Sequence, residues 1–305
     1  MTNQVKNSAN HWATYWEEGR AQGEVYTRGD GQGNPALEAF WKQSLETGAG
    51  PRLDIACGAA SVLRHGPMKG LNIAFDVAPA ALRKLKTDTP SLKGVAGDAA
   101  NLPFGDGSFK HVASQFGLEY AGTEAFAEAG RVLAPEGRLA LLCHVEGSSI
   151  HQRSQAELQA LDTMTEVAFM ARAEAALRAA YDQNEAAFVA SAKAFMEAER
   201  SVVTQLETGV GGLAQHAYAG FRQLFERRAQ YAREDALGWL AATNAQMEET
   251  RQRLSAITAA ALNEPTLRAA TQALRERGVS VEAPAPLILP GQAAPLALII
   301  EGYGA

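Results

Sequence analysis

Hydrophobic and polar positions divide the chain into three textures. From 51 to 147, short apolar runs (RLDIAC, LNIAFDV, GVAGD, HVASQF and GRLALLCHV) alternate with stretches of helical spacing. Such runs predict buried strands, and strands alternating with helices predict a mostly parallel sheet covered on both faces. From about 150 to 275 the chain turns rich in Ala, Glu, Gln and Arg, with apolar residues at helical spacing. Tyr218, Phe221 and Phe225, with Leu224 beside them, mark one apolar face there. Breaks are expected at TGVGG (208–212), near Arg233–Asp235 and at Asn263–Pro265, giving three to five helices. No heptad is sustained, which disfavours a long coiled coil. Strand patterning then returns in GVSVEAPAP and PLALIIEGY, which read as a closing hairpin. Because strands resume after it, the helical block reads as an insertion. The expected domains are an N-terminal helical cap (1–50), an α/β domain (51–147 and 263–305) and a helical insertion (148–262).

Composition narrows the class. The 305 residues are 47% hydrophobic and 20% charged, the balance of a globular protein. A formal charge of -6 argues against a nucleic acid as main partner. Cys57 and Cys143 lack the spacing of a disulfide framework or a zinc site, so a reduced, cytoplasmic setting is expected. No run approaches the ~20 apolar residues of a membrane span, and MTNQVKNSANHWATYW lacks a signal core. His65, His111, His151 and His216 have no partners at metal spacing, and no metal is expected.

Candidate chemistry starts at RLDIACGAAS. An apolar strand ends near Asp54, and the small residues Ala56, Gly58 and Ala60 follow, as in a tight turn that lets backbone approach a ligand. About twenty residues on, Asp76 in NIAFDVAP ends a second strand, where a carboxylate can hold ribose hydroxyls. Asp98 in GVAGDAANLPF ends a third, with the Ala99 N–H beside it, a pair able to meet an adenine edge. Three acidic strand ends on one sheet edge point to a nucleoside. A nicotinamide site would want G-x-G-x-x-G, which is absent.

With these residues assembled, the chain resembles the class I S-adenosylmethionine-dependent methyltransferases. LDIACGAAS is similar to their first motif, FDVAPAAL to the second, GDAANLPFGDGSFKHV to the adenine-binding motif and RVLAPEGRLALLCHV to the fifth-strand motif. The resemblance implies a Rossmann-like, seven-stranded, mostly parallel sheet with a C-terminal antiparallel hairpin and the helical insertion after strand 5. It implies S-adenosyl-L-methionine as cofactor and S-adenosyl-L-homocysteine as product. The turn Ala56–Ala60, which includes Cys57 and Gly58, would wrap the methionine part through backbone groups, Asp76 would bind the ribose and Asp98, with Ala99 beside it, the adenine. Asp54 and Val77 would also contact the cofactor. Gln115 and Phe116 would line the floor near the sulfonium. Ala56 and Ala60 stand where the family's motif carries glycine, which alanine can replace at negative φ.

Methyl transfer from a sulfonium needs alignment more than acid–base groups. Glu119, after the fourth strand, and His144, ending the fifth, are the candidates for orienting or deprotonating the acceptor; the plainer roles are a helix-starting carboxylate and a backbone-bonded histidine. Tyr120, Trp12, Tyr15 and Trp16 are candidates for contact with a small-molecule acceptor at O, N or C. The insertion reads as a lid, a homodimer interface or self-packed hairpins. The rival function is a catalytically weak, methyltransferase-like scaffold acting through its helical block.

Overall fold

The computed structural model describes residues 34–46, 50–60, 62–68 and 70–305. Trp12, Tyr15 and Trp16 lie outside the described residues. The chain divides into two compact units, one running to His151 and resuming at Ala259, the other Gln152–Thr258.

In the first unit, helix α1 (Pro35–Glu46) has Asn34 accepting the Ala36 N–H and Pro at its first position. It buries Leu37, Trp41 and Leu45, one face at i, i+4, i+8. The sheet comprises β1 (Arg52–Ile55), β2 (Asn72–Asp76), β3 (Lys93–Ala96), β4 (Phe109–Gln115), β5 (Leu133–Cys143), β6 (Val279–Val281), β7 (Ala285–Leu287) and β8 (Ala297–Gly304). Its order is β3-β2-β1-β4-β5-β8-β6, with β7 also on β8. The first five strands run parallel; β8 is antiparallel to β5, β6 and β7. The sheet therefore has eight strands rather than seven. β6 and β7 pair with successive parts of β8, and Pro284 and Pro286, lacking N–H groups, limit pairing there.

Helix α2 (Pro79–Asp88) follows β2, and α3 (Thr123–Val132) leads into β5. Leu53, Ile55, Phe75, Leu139, Leu141 and Ile300 are wholly buried in the core. The order reverses between β2 and β4 about β1, so the carboxyl ends of β1 and β4 flank the crevice where open α/β sheets bind ligands.

Helices α4 (Ser149–Glu166) and α8 (Arg233–Ala260) carry the chain into and out of the second unit, which also contains α5 (Phe169–Tyr181), α6 (Glu185–Leu206) and α7 (Gly212–Glu226). Its core is aromatic: Phe221 lies 4.9 Å from Phe195 and 5.7 Å from Phe225, ring centre to ring centre. With α9 (Glu264–Glu276), six helices fill the stretch from Ser149 to Glu276, one more than the upper expectation. The unforeseen breaks are at Ala168, in the left-handed region at φ 49°, and at Asn184, whose side chain caps α6. Just after the first unit resumes, Leu262 N–H donates to the His144 carbonyl, while Glu146 N–H donates to the Leu262 carbonyl. Entry and exit are thus joined by backbone.

Candidate active site

The first turn is bound to its neighbours by backbone and carboxylate together. Cys57 N–H donates to the Phe75 carbonyl on β2, continuing the strand ladder past the end of β1. Asp76, 6% exposed, is the hub. One carboxylate oxygen accepts Gly58 N–H at 2.8 Å, the other accepts Ala78 N–H at 2.8 Å, and its carbonyl accepts Gly97 N–H from the segment after β3. The two carboxylate oxygens have about four acceptor sites between them, and with the Val77 N–H as a third donor one remains for a ligand hydroxyl. Burial raises the Asp76 pKa, and the N–H groups of Ala78, Gly58 and Val77 oppose the rise.

Asp54 has no such support. It is wholly buried at the end of β1, and neither carboxylate oxygen has a hydrogen-bond partner among the described residues. Burial, and after it the negative charge of Asp76, push its pKa well above the usual carboxylate range; Arg64 acts weakly the other way. A carboxylate buried without partners is costly unless a cationic or hydrogen-bonding group meets it.

The turn between them is wound left-handed. Ala56, Gly58 and Ala60 have φ of 56°, 51° and 54°. The condition under which alanine replaces glycine freely, a negative φ, is not met: both alanines occupy the region glycine tolerates best, at a cost of roughly 1 kcal/mol or more each. Ala56 has room because Gly117 faces it; a Cβ built on Gly117 would lie 2.4 Å from the Ala56 methyl. Cys57 is buried, and its thiol is pushed well above the usual range by burial and then by Asp76 and Asp54, which disfavours the nucleophilic thiolate.

Asp98 is partly exposed after β3, with one carboxylate oxygen accepting Ala100 N–H at 3.0 Å and Ala99 beside it. Its loop is clamped from α3. Arg131 donates to the carbonyls of Leu102 and Phe104 and to the carboxylates of Asp106 and Glu128. Glu128 in turn accepts Leu102 N–H at 2.8 Å. Sequence reading passed over Arg131, although it opens the RVLAPEG motif.

Gln115 ends β4, and Phe116 follows with φ 55°. The Gln115 amide oxygen accepts the Trp41 indole N–H at 2.5 Å. Trp41, 1% exposed, was also missed; the spacing of Leu37, Trp41 and Leu45 marked it as buried but gave no sign of that partner. Past the ends of β4 and β5, Glu119 and His144 come together. One Glu119 oxygen accepts the His144 backbone N–H at 2.7 Å and lies 2.8 Å from its ring Nδ1. The His144 ring lies 4.7 Å from Phe116 and 5.8 Å from Tyr120 between centres. Among the described residues no group of three His, Cys, Asp or Glu is placed to hold a metal, and no helix is long and apolar enough to cross a membrane.

Residues 53–141, which span this edge from β1 into β5, match the family model described as methyltransferase domain. Residues 53–141 form a methyltransferase domain. The methyltransferase domain is 32% identical over 111 residues to demethylmenaquinone methyltransferase of Beutenbergia cavernae, covering 34% of this chain and 46% of that protein. To the enzyme of the same name from Renibacterium salmoninarum it is 37% identical over 90 residues, covering 28% and 38%. The chain thus spans less than half the length of these curated relatives. Among solved structures, geranyl diphosphate C-methyltransferase from Streptomyces coelicolor A3(2) aligns at 14% identity over 47% of this chain and 66% of that one, with a TM-score of 0.38.

Proposed function

We propose that the protein is an S-adenosylmethionine-dependent methyltransferase acting on a small-molecule acceptor. The observation that carries this is the buried, partnerless carboxylate of Asp54 beside the left-handed turn 56–60, in line with Asp76 and Asp98 on adjoining strand ends. These groups fit the cofactor by chemistry. Asp54 supplies a charge for an amino acid's ammonium, Asp76 has an acceptor site left for a ribose, and Asp98 with the Ala99 N–H suits an adenine edge. Cys57 and Val77 complete the walls, and Gln115 and Phe116 the floor. When bound, the cofactor supplies a methyl group on a good leaving group, so the protein's main tasks are alignment and exclusion of water.

The demethylmenaquinone relatives and the family match support a small acceptor, and the acidic balance of the chain agrees. Isothermal titration with S-adenosylhomocysteine tests the reading. Micromolar binding is expected, weakened at least about tenfold in Asp76→Ala, with the fold verified by circular dichroism. Absence of binding to the parent protein overturns the function; unchanged affinity in the variant overturns the ribose assignment.

A further inference from the structure

Helix α6 (Glu185–Leu206) is 22 residues long but buries only Phe195, Ala198 and Val202. Those three lie on one side, at i, i+3 and i+7. The opposite side carries Val189 and Met196, 63% and 56% exposed, the two most exposed large apolar residues among those described. Scattered exposed apolar residues are ordinary. These two are not scattered: seven residues apart, they return to within about 20° of one line along the helix. Glu185 stands four residues before Val189 and Arg200 four after Met196, both exposed and close to the same line. Lys193 and Glu197, also exposed, flank it. None of these four charged groups has an ion-pair partner among the described residues, whereas Arg178, Arg222, Arg233 and Arg251 of the same unit all do.

The spacing Glu185, Val189, Met196, Arg200 (four, seven, four) reads the same in either direction, with the charge reversed at its ends. Such a line is complementary to itself when turned end for end. Laid antiparallel against a second copy, about a two-fold axis at Ala192–Lys193, Val189 meets Met196 and Glu185 meets Arg200, twice each. Lys193 then has Glu197 of the second copy about 7.5 Å along the helix, within a lysine's reach. A parallel pair would set Glu185 against Glu185 and Arg200 against Arg200, which like charges oppose.

We propose that this face of α6 is a self-association surface whose occupant is α6 of a second copy of the chain, laid antiparallel. The proposal is independent of the methyl-transfer reading and uses the second unit alone. Apolar contact at the centre excludes water, and the charge pairs at either end set direction and register. About 16 residues of helix, ~24 Å, take part. Such a contact lies at the small end of specific interfaces, so a dissociation constant in the micromolar range or weaker is expected.

Sedimentation equilibrium of the full chain from about 1 to 500 μM tests this, and a monomer–dimer equilibrium is expected. Met196→Glu, which sets a charge in the apolar centre, should raise the dissociation constant at least about tenfold. Arg200→Glu, which faces Glu185 with like charge, should do the same. Adding Glu185→Arg to Arg200→Glu restores both pairs with their signs exchanged, and should return the constant to within about threefold of the parent. The substituted side chains are all exposed, and circular dichroism verifies that each variant keeps its helix content. A parent that stays monomeric to the highest concentration overturns the proposal. So does association that Met196→Glu leaves within about twofold, since it would run through another surface. A double exchange no tighter than Arg200→Glu alone overturns the antiparallel pairing.

Discussion

Asp54 shows how one side chain sets stability against binding. Its folded pKa is raised, so the folded protein holds its proton to higher pH than the unfolded chain. Between the unfolded value and the folded one, folding takes up a proton and stability falls as pH rises. Asp54→Asn removes that titration. In thermal scans at pH 7 the ligand-free variant should melt above the parent, by about 2–4 °C per kcal/mol recovered, and the gap should close towards pH 4. The same variant should bind S-adenosylhomocysteine at least about tenfold more weakly. Equal melting temperatures at pH 7 would contradict the assigned cost. A further test of backbone strain is Glu136, exposed, with φ 56° at the irregularity within β5 where the register against β4 shifts. Glu136→Gly should raise stability by about 1 kcal/mol in urea unfolding, because glycine relieves the left-handed cost and little packing is lost. Such strain was illegible in sequence: small residues at Ala56 and Ala60 announced a turn, yet the sign of φ was not written there, and the room for the Ala56 methyl is left by Gly117, some sixty residues away.

At the scale of elements, the loop after β3 holds its shape through α3. Arg131 satisfies two loop carbonyls and two carboxylates at once, and strong pairing with Glu128 and then Asp106 raises the guanidinium pKa still further. Arg131→Gln should therefore weaken S-adenosylhomocysteine binding about three- to tenfold, measured by calorimetry, through the loop that carries Asp98. Affinity equal to the parent's would show that the loop keeps its shape unaided. The parallel strands were legible because each is a short apolar run closed by Gly, Pro or Asp. The helices were less so: the chain breaks between α4 and α5 in TEVAFM, which holds no glycine or proline, and a left-handed alanine is invisible to propensity. The Trp41–Gln115 bond, joining residues 74 apart, belongs to tertiary structure alone.

For the whole molecule, the division of labour between units is testable. Asp54, Asp76, Asp98, Glu119 and His144 all belong to the first unit, as do the hydrogen bonds that hold them. A chain in which a short Gly-Ser linker replaces Gln152–Thr258 should keep its affinity for S-adenosylhomocysteine within about threefold. A loss beyond that by calorimetry, with the sheet intact by circular dichroism, would assign part of the cradle to the helical unit. The acceptor stays harder to read than the donor because its recognition rests on no run of sequence. Even Glu119 and His144, each visible as a candidate, became a pair only when β4 and β5 set them side by side.

The joint between Glu146, Leu262 and the His144 carbonyl bears on how such a chain is assembled over generations. Two ends already stitched together by main-chain bonds form a socket. A segment cut or pasted there changes no strand register and asks nothing of the residues around it, since the stitches use only groups every amino acid other than proline provides. Gene rearrangements that exchange the helical segment for another can then be tolerated at this one position while the sheet continues to fold as before.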